Sequence, residues 1–250
     1  MITPPSLPRH ARVVIVGGGV IGTSTAYHLA LMGWQDVVLL ERHQLTAGTT
    51  WHAAGLMVTY GSTSETSTEI RKYTRDLYGR LEAETGQATG FMPIGFIEVA
   101  SDLDRLEEFR RVAAFNRYCG IDVQEISPRQ VQELFPLAKV DDIEAGFYVK
   151  EDGRVNPVDV TMALGKGARM RGVKIFEGVP ATGVLQKNGR VTGVSTPYGD
   201  IQTDYVVNCA GLWARELGAM SGVAISNQMP TSQENDFFIT LMGPGICLAP

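Results

Sequence analysis

The sequence predicts an α/β protein organised on a Rossmann-like unit, and three observations near its start carry that prediction. Arg12–Val16 is a short β-branched run of the kind that forms a strand buried on both faces. Gly17, Gly19 and Gly22 come directly after it as G-x-G-x-x-G. In such a turn one glycine allows the tight bend, one lets backbone approach a pyrophosphate, and one lets helix pack on strand. Val37–Leu40 then forms a second apolar run closed by Glu41, where an acid accepts hydrogen bonds from a ribose hydroxyl. The helix between the two strands starts near Val20. The free N–H groups of its first residues, Val20 and Ile21, face the phosphates with the positive end of the helix dipole. Arg42, beside the acid, belongs to the same site. A glycine triplet alone fits an ordinary loop; strand, helix, second strand and acid together select dinucleotide binding. An acid at the ribose position favours FAD or NAD over NADP.

The next stretch separates those two. Gly48, Thr49, Thr50, Trp51, His52, Ala53, Ala54, Gly55 and Leu56 come soon after Glu41, where an NAD domain goes on to its next helix. Small residues and hydroxyls suit contact with a second segment of a long cofactor. The block L-T-A-G-T-T-W-H-A-A-G-L, Leu45–Leu56, resembles the dimethylglycine dehydrogenase and sarcosine dehydrogenase family, flavoenzymes of the D-amino-acid-oxidase fold type. The resemblance implies an α/β fold in which a Rossmann-like FAD-binding domain carries an inserted α+β substrate lobe. It also implies that His52, in the Trp-His pair, holds FAD covalently. By residue type alone, His52 reads as a satisfied core histidine; the motif is what points to the cofactor.

Composition agrees with a globular protein and narrows its partners. The 250 residues, 44% hydrophobic and 20% charged, suffice for a sizeable core and two lobes. A net charge of −5 without basic clusters argues against nucleic acid. Cys119, Cys209 and Cys247 lack metal-ligand spacing, so no metal is expected and a reduced, intracellular setting is the simplest account. No apolar run approaches the roughly 18 residues of a membrane span. Met1–Ala11 has no apolar h-region, so a cytoplasmic location is expected, or the mitochondrial matrix if a targeting segment has been lost.

Along the rest of the chain, Thr3–Pro8 is a proline-rich lead-in and Thr59–Thr68 a loop in which Ser64 or Ser67 caps the next helix. Helical spacing of Ile70, Tyr73, Leu77 and Leu81 predicts that amphipathic helix over Glu69–Glu84, packed on the first lobe. A strand is expected at Phe96–Val99 and a helix at Asp104–Tyr118 with Leu106, Phe109, Val112 and Ala113 inward. Ser127-Pro128 caps a helix over Arg129–Leu134, which Pro136 stops, and Ala145–Val149 reads as a strand. After a turn at 152–157, Asp159–Met170 reads as a helix and Val173–Phe176 as a strand. Three short strands come next, Gly183–Gln186, Val191–Ser195 and Asp200–Thr203, with turns at Asn188-Gly189 and Tyr198-Gly199. Tyr205–Asn208 is a buried strand and Arg215–Met220 a helix ended by Gly222. The expected division is 12–85 and 156–222 for the FAD-binding domain, 86–155 for the substrate lobe and 223–250 for the start of its return.

The family resemblance extends to Val179, whose backbone it places against the adenine, and to V-V-N-C-A-G-L-W-A, a second flavin-contact turn with Ala210, Gly211 and Trp213. An ordinary strand-to-helix turn is the alternative there. In Glu234–Thr240, Asn235 stands where the family often has a histidine lining the substrate cavity, and Asn does not titrate as His does. The resemblance covers about residues 12–240 and only the first part of a family member; folate enters only with a longer chain. The chemistry implied is FAD-dependent oxidation of a small N-methylated amine of the dimethylglycine or sarcosine class, by hydride transfer from the N-methyl carbon. A basic or hydroxyl partner for the substrate carboxylate belongs in the substrate lobe; no catalytic base and no electron acceptor is assigned. Two other functions stay open: a non-catalytic relative acting through protein contact, like the pyruvate dehydrogenase phosphatase regulatory subunit, and an inactive fragment of a longer enzyme.

Overall fold

A computed structural model describes residues 6–225 and the backbone of 240–242. The chain begins with β1 (His10–Val16), α1 (Val20–Leu31), β2 (Val37–Leu40), β3 (Leu56–Met57) and α2 (Glu65–Thr85). It continues with β4 (Phe96–Ala100), α3 (Leu103–Tyr118), β5 (Gln124–Ile126), α4 (Pro128–Leu134), β6 (Ala145–Val149) and β7 (Gly153–Arg154). Then come α5 (Pro157–Met170), β8 (Lys174–Phe176), β9 (Gly183–Lys187), β10 (Arg190–Thr196), β11 (Gly199–Asn208), α6 (Ala214–Met220) and β12 (Thr240–Met242). Two compact units result: residues 1–53, 83–87 and 157–250 form the first, 54–82 and 88–156 the second. Helix α2 contributes to both.

The first unit is a sheet of order β8-β2-β1-β11-β10-β9, with β12 also paired to β11. Strands β8, β2, β1 and β11 run parallel; β9 and β10 are antiparallel additions. The apolar runs explain the middle of this sheet: Val13, Val14 and Ile15 of β1 and all four residues of β2 are buried, as strands covered on both faces must be. Asn188 and Gly189, both at positive φ (53° and 72°), make the β9–β10 turn of the type that matches strand twist. The two strands expected at Asp200–Thr203 and Tyr205–Asn208 are one. Its first part alternates, with Ile201 and Thr203 buried between exposed Asp200, Gln202 and Asp204, and pairs antiparallel with β10. Its last residues are apolar or buried without alternation and pair with β1. A change of burial pattern, not a break in the chain, produced the apparent boundary.

The second unit holds a three-stranded sheet of order β4-β6-β5 and the two-stranded ribbon β3-β7. Its core gathers Tyr60, Leu106, Ala113, Ile121, Val123, Phe147 and Val149, with Phe109 and Val112 partly buried against it. Ser127 and Gln130 form a reciprocal capping box at the start of α4, with Pro128 in its first turn. Helix α2 starts four residues earlier than its apolar spacing predicts, with the Ser64 carbonyl accepting from Thr68 N–H at 2.9 Å. Leu77 and Leu81 are buried, but Ile70 and Tyr73 are exposed at 60% and 41%. At that end the helix turns Thr68 inward and sends Arg71 to the Tyr60 carbonyl at 2.7 Å. Polar ties to the preceding loop take the face that periodicity assigned to apolar side chains. Buried Asp152 secures the same loop, accepting from the Thr59 N–H and hydroxyl at 2.8 and 2.7 Å.

Candidate functional site

In the first unit, β1 ends at a glycine turn whose geometry is dictated by neighbours. Gly17 has φ 117°, and a Cβ there would lie 2.2 Å from the Cys209 carbonyl oxygen at the end of β11. A Cβ on Gly22 would lie 1.8 Å from the Gly17 carbonyl oxygen, so the helix packs on the turn through bare backbone. Gly19 differs: only the Thr50 hydroxyl, at 2.9 Å, stands near its Cβ direction. Its closest surroundings are otherwise open, as backbone that admits a phosphate requires.

Gly19 caps α1 without a side chain of its own. The Thr50 hydroxyl, thirty residues on, accepts from Val20 N–H at 3.1 Å. The first helical bond is Thr23 N–H to the Gly19 carbonyl, which leaves the N–H groups of Gly19, Ile21 and Gly22 without an acceptor among the described residues. Glu41 completes the turn. One carboxylate oxygen accepts from Gly18 N–H at 2.7 Å and the other from His43 N–H at 2.8 Å. Each oxygen retains a lone pair for a ribose hydroxyl.

Together these parts line a cleft at the carboxyl ends of the parallel strands, the place where open α/β sheets bind ligands. Gly17, Gly19, Glu41, Arg42, Gly48, Thr49, Thr50, Ala210, Gly211 and Trp213 all line it. The Arg42 guanidinium lies 3.9 Å from the Trp213 ring centroid, and a Cβ on Gly48 would lie 3.5 Å from the same ring. Gly211 sits at φ 55° in the turn after β11. Gly18, His43, Pro180, Ala181 and Glu216 also line the cleft, outside the residues that the sequence motifs single out. Cys209 lines it too, and burial pushes its thiol up to about 11.

Other expected site residues fall outside the cleft lining. Val20, Ile21 and Gly22 form the first turn of α1, behind the glycine turn. Trp51 and His52 lie on a short 3-10 turn, both exposed, with ring centroids 3.6 Å apart. His52 is therefore not a core histidine. Ala53 and Ala54 are exposed. Gly55 and Leu56 are engaged within the second unit: the Gly55 carbonyl accepts from Val155 N–H, and Leu56 pairs with Arg154. Val179 is buried and donates its N–H to the Glu41 carbonyl at 2.8 Å. Asn235 and the rest of 226–239 lie outside the described residues.

Unsatisfied N–H groups at a helix start, glycines that no Cβ could replace and an acid at the second strand fit the ADP half of a dinucleotide. Fold and site thus define an α/β dinucleotide-binding protein. Residues 12–237 match the family model described as FAD dependent oxidoreductase, and the chain belongs to that family. It is 44% identical over 227 residues to the mitochondrial pyruvate dehydrogenase phosphatase regulatory subunit of Mus musculus, covering 91% of this chain and 25% of that protein. It is 41% identical to human mitochondrial sarcosine dehydrogenase (88% of this chain, 24% of that protein). Identity to rat mitochondrial dimethylglycine dehydrogenase is 42% (88% and 26%). The chain thus spans about a quarter of the length of these relatives. Among solved structures, L-proline dehydrogenase from P. horikoshii superposes with a TM-score of 0.82 at 26% identity, covering 90% of this chain and 58% of that one. The Leu45–Leu56 block and the whole-chain comparison agree on sarcosine and dimethylglycine dehydrogenases as relatives, within a D-amino-acid-oxidase-like fold.

Proposed function

We propose that this chain supplies the FAD-binding portion of a dehydrogenase acting on an N-methylated glycine of the dimethylglycine or sarcosine class. The observation that carries it is the cleft built by the G-x-G-x-x-G turn, Thr50 and Glu41 in a chain 41–42% identical to two such dehydrogenases. FAD, when bound, supplies the two-electron acceptor for a C–H bond next to nitrogen. The chain's own groups bind and orient it. The N–H groups of Gly19 and Ile21 face the pyrophosphate, Glu41 accepts from the ribose, the Val179 carbonyl meets the adenine, and Ala210-Gly211 brings backbone close. His52 is the covalent anchor: its exposure leaves the imidazole free to bond, and Trp51 against its ring limits its orientation. The relatives' mitochondrial names support a matrix setting, and a longer chain would bring in folate.

The test is acid precipitation of the purified chain followed by flavin fluorescence on a denaturing gel. Fluorescence should stay with the wild-type band and vanish in His52→Ala. Flavin that washes out of wild type would sink the covalent anchor while leaving FAD binding. Turnover of dimethylglycine or sarcosine with an artificial electron acceptor tests the reaction. The 44% identity to a phosphatase regulatory subunit favours a second reading, action through protein contact. A protein that holds flavin, yet whose flavin neither substrate reduces in the longer chain, would decide for it.

A further inference from the structure

Helix α1 of the first unit, V-I-G-T-S-T-A-Y-H-L-A-L, contains no Asp, Glu, Lys or Arg, whereas α2 and α3 carry several of each sign. A helix without a charged face belongs in an interior, covered on every side. The described residues cover α1 on part of its circumference. Thr23 and Tyr27 pack on Gly165 and Gly167 of α5, and Gly22 lies against the turn after β1. The remaining side, Ile21, Ser24, Thr25, His28, Leu29 and Met32, lines an open groove. Its polar members turn back on the helix: the Thr25 hydroxyl donates to the Ile21 carbonyl at 2.9 Å, and His28 Nδ1 donates to the Ser24 carbonyl at 2.7 Å. What the groove presents is almost wholly apolar, with Met32 exposed at 72%.

This groove runs beside β11. Thr25 Oγ1 lies 3.9 Å from Cys209 Sγ, just past one end of that strand. Toward the other end, the ring of Trp34 stands 5.9 Å from the ring of Tyr205. Trp34 follows α1 directly and donates its N–H to the Leu29 carbonyl at 3.0 Å, which ties this corner to the groove. Strand β11 pairs with β1 along one edge and with β12 along the other. The register sets Met242, the last residue of β12, opposite Val206, the neighbour of Tyr205. The backbone that leaves β12 therefore starts at the end of the groove marked by Met32 and Trp34.

We infer that residues 243–250 dock in the α1 groove and bring Ile246 and Leu248 against Leu29 and Met32. The segment reads G-P-G-I-C-L-A-P and, like the groove, has no charged side chain. Eight residues fully extended reach about 26–29 Å. The twelve residues of α1 rise about 18 Å, so the segment is long enough to cover the helix from end to end. Pro244 and Gly245 favour a turn at its start over a continued strand or a new helix. Origin, length and apolar character thus agree on one occupant, and docking there gives α1 the cover that its composition requires.

The test is disulfide trapping in the full chain, with the native Cys247 as one partner. Met32→Cys sets the second thiol in the groove; Met170→Cys sets it at the exposed end of α5, the helix on the other flank of α1. Under mild oxidation Met32→Cys should join Cys247 within one chain, as read by peptide mass, at a yield about tenfold or more above that of Met170→Cys. Equal yields, or no disulfide from Met32→Cys, would overturn the docking. A disulfide between two chains would overturn it as well and give the groove to a second copy. Melting temperatures supply an independent measurement should Met32→Cys not fold. Leu29→Ala and Leu248→Ala together should lower the transition by about 1 °C or more less than the sum of their separate effects, because each removes the same contact. Additive losses would place Leu248 away from the groove.

Discussion

Two glycines of similar sequence context carry opposite burdens. A Cβ on Gly22 would enter the Gly17 carbonyl at 1.8 Å, where both partners are backbone and neither can give way without moving β1 or α1. A Cβ on Gly48 would meet only the Trp213 ring at ordinary contact distance, 3.5 Å. Gly22→Ala should therefore cost about 2–3 kcal/mol of folding stability, and Gly48→Ala less than about 0.5. Urea midpoints of the two variants check this; equal midpoints would contradict the packing role of Gly22. The same contrast explains what the residue pattern revealed. Gly17, Gly22 and Glu41 were legible because each answers a local demand: a turn, a close approach, an acid at a strand end. Thr50 as the cap of Val20 N–H was not, since the two are thirty residues apart and only the folded loop brings the hydroxyl to the helix start. The exposure of His52 was equally hidden, because a histidine among small residues has no periodicity to place it.

Helix α5 shows how an element is selected by its neighbour rather than by its propensity. Of its small residues Ala163, Gly165 and Gly167, the two glycines would weaken an isolated helix, each costing about 1 kcal/mol relative to alanine. Within the first unit a Cβ on Gly167 would sit 2.9 Å from two carbons of the Tyr27 ring on α1 and 3.1 Å from the Thr85 methyl. A Cβ on Gly165 would meet the tip of Leu45, a buried aliphatic side chain, at 3.2 Å, a contact that a movement of a few tenths of an ångström relieves. Overpacking of about 1–3 kcal/mol should outweigh the propensity gain in Gly167→Ala, lowering the melting temperature. In Gly165→Ala the two effects should cancel to within about 0.5 kcal/mol. A Gly167→Ala variant that melts above wild type would show that propensity wins. At this scale the sequence was informative wherever one rule acted alone. β2 and β6 have the bounds their apolar runs predict, and Ser127-Pro128 marks the start of α4. It misled where two environments shared one element: β11 changes burial pattern midway, and α2 turns Thr68 and Arg71 inward in place of Ile70 and Tyr73.

At the scale of the molecule, ligand and fold are linked through the first unit. The cleft is made of loops that join β1 to α1, β2 to the Thr49-Thr50 turn, and β11 to α6, so a nucleotide bound there ties together segments distant in sequence. A ligand that binds only the folded state adds RT ln(1 + [L]/Kd) to stability, about 2.7 kcal/mol at a hundred times Kd. For a chain of this size each kcal/mol is worth about 2–4 °C. Because the groups that line the cleft suit a pyrophosphate and a ribose, ADP alone should suffice. All three tryptophans, Trp34, Trp51 and Trp213, belong to the first unit, and Trp213 lines the cleft itself. Tryptophan fluorescence therefore reports the melting of the unit that carries the ligand. Saturating ADP should raise that transition by several degrees in wild type. Glu41→Gln retains an oxygen for Gly18 N–H but loses the charge and one acceptor toward the ribose, so its ligand-induced shift should shrink to less than half. No shift with ADP in wild type would remove the nucleotide from the cleft. An undiminished shift in Glu41→Gln would leave the nucleotide in place and take the ribose contact away from Glu41.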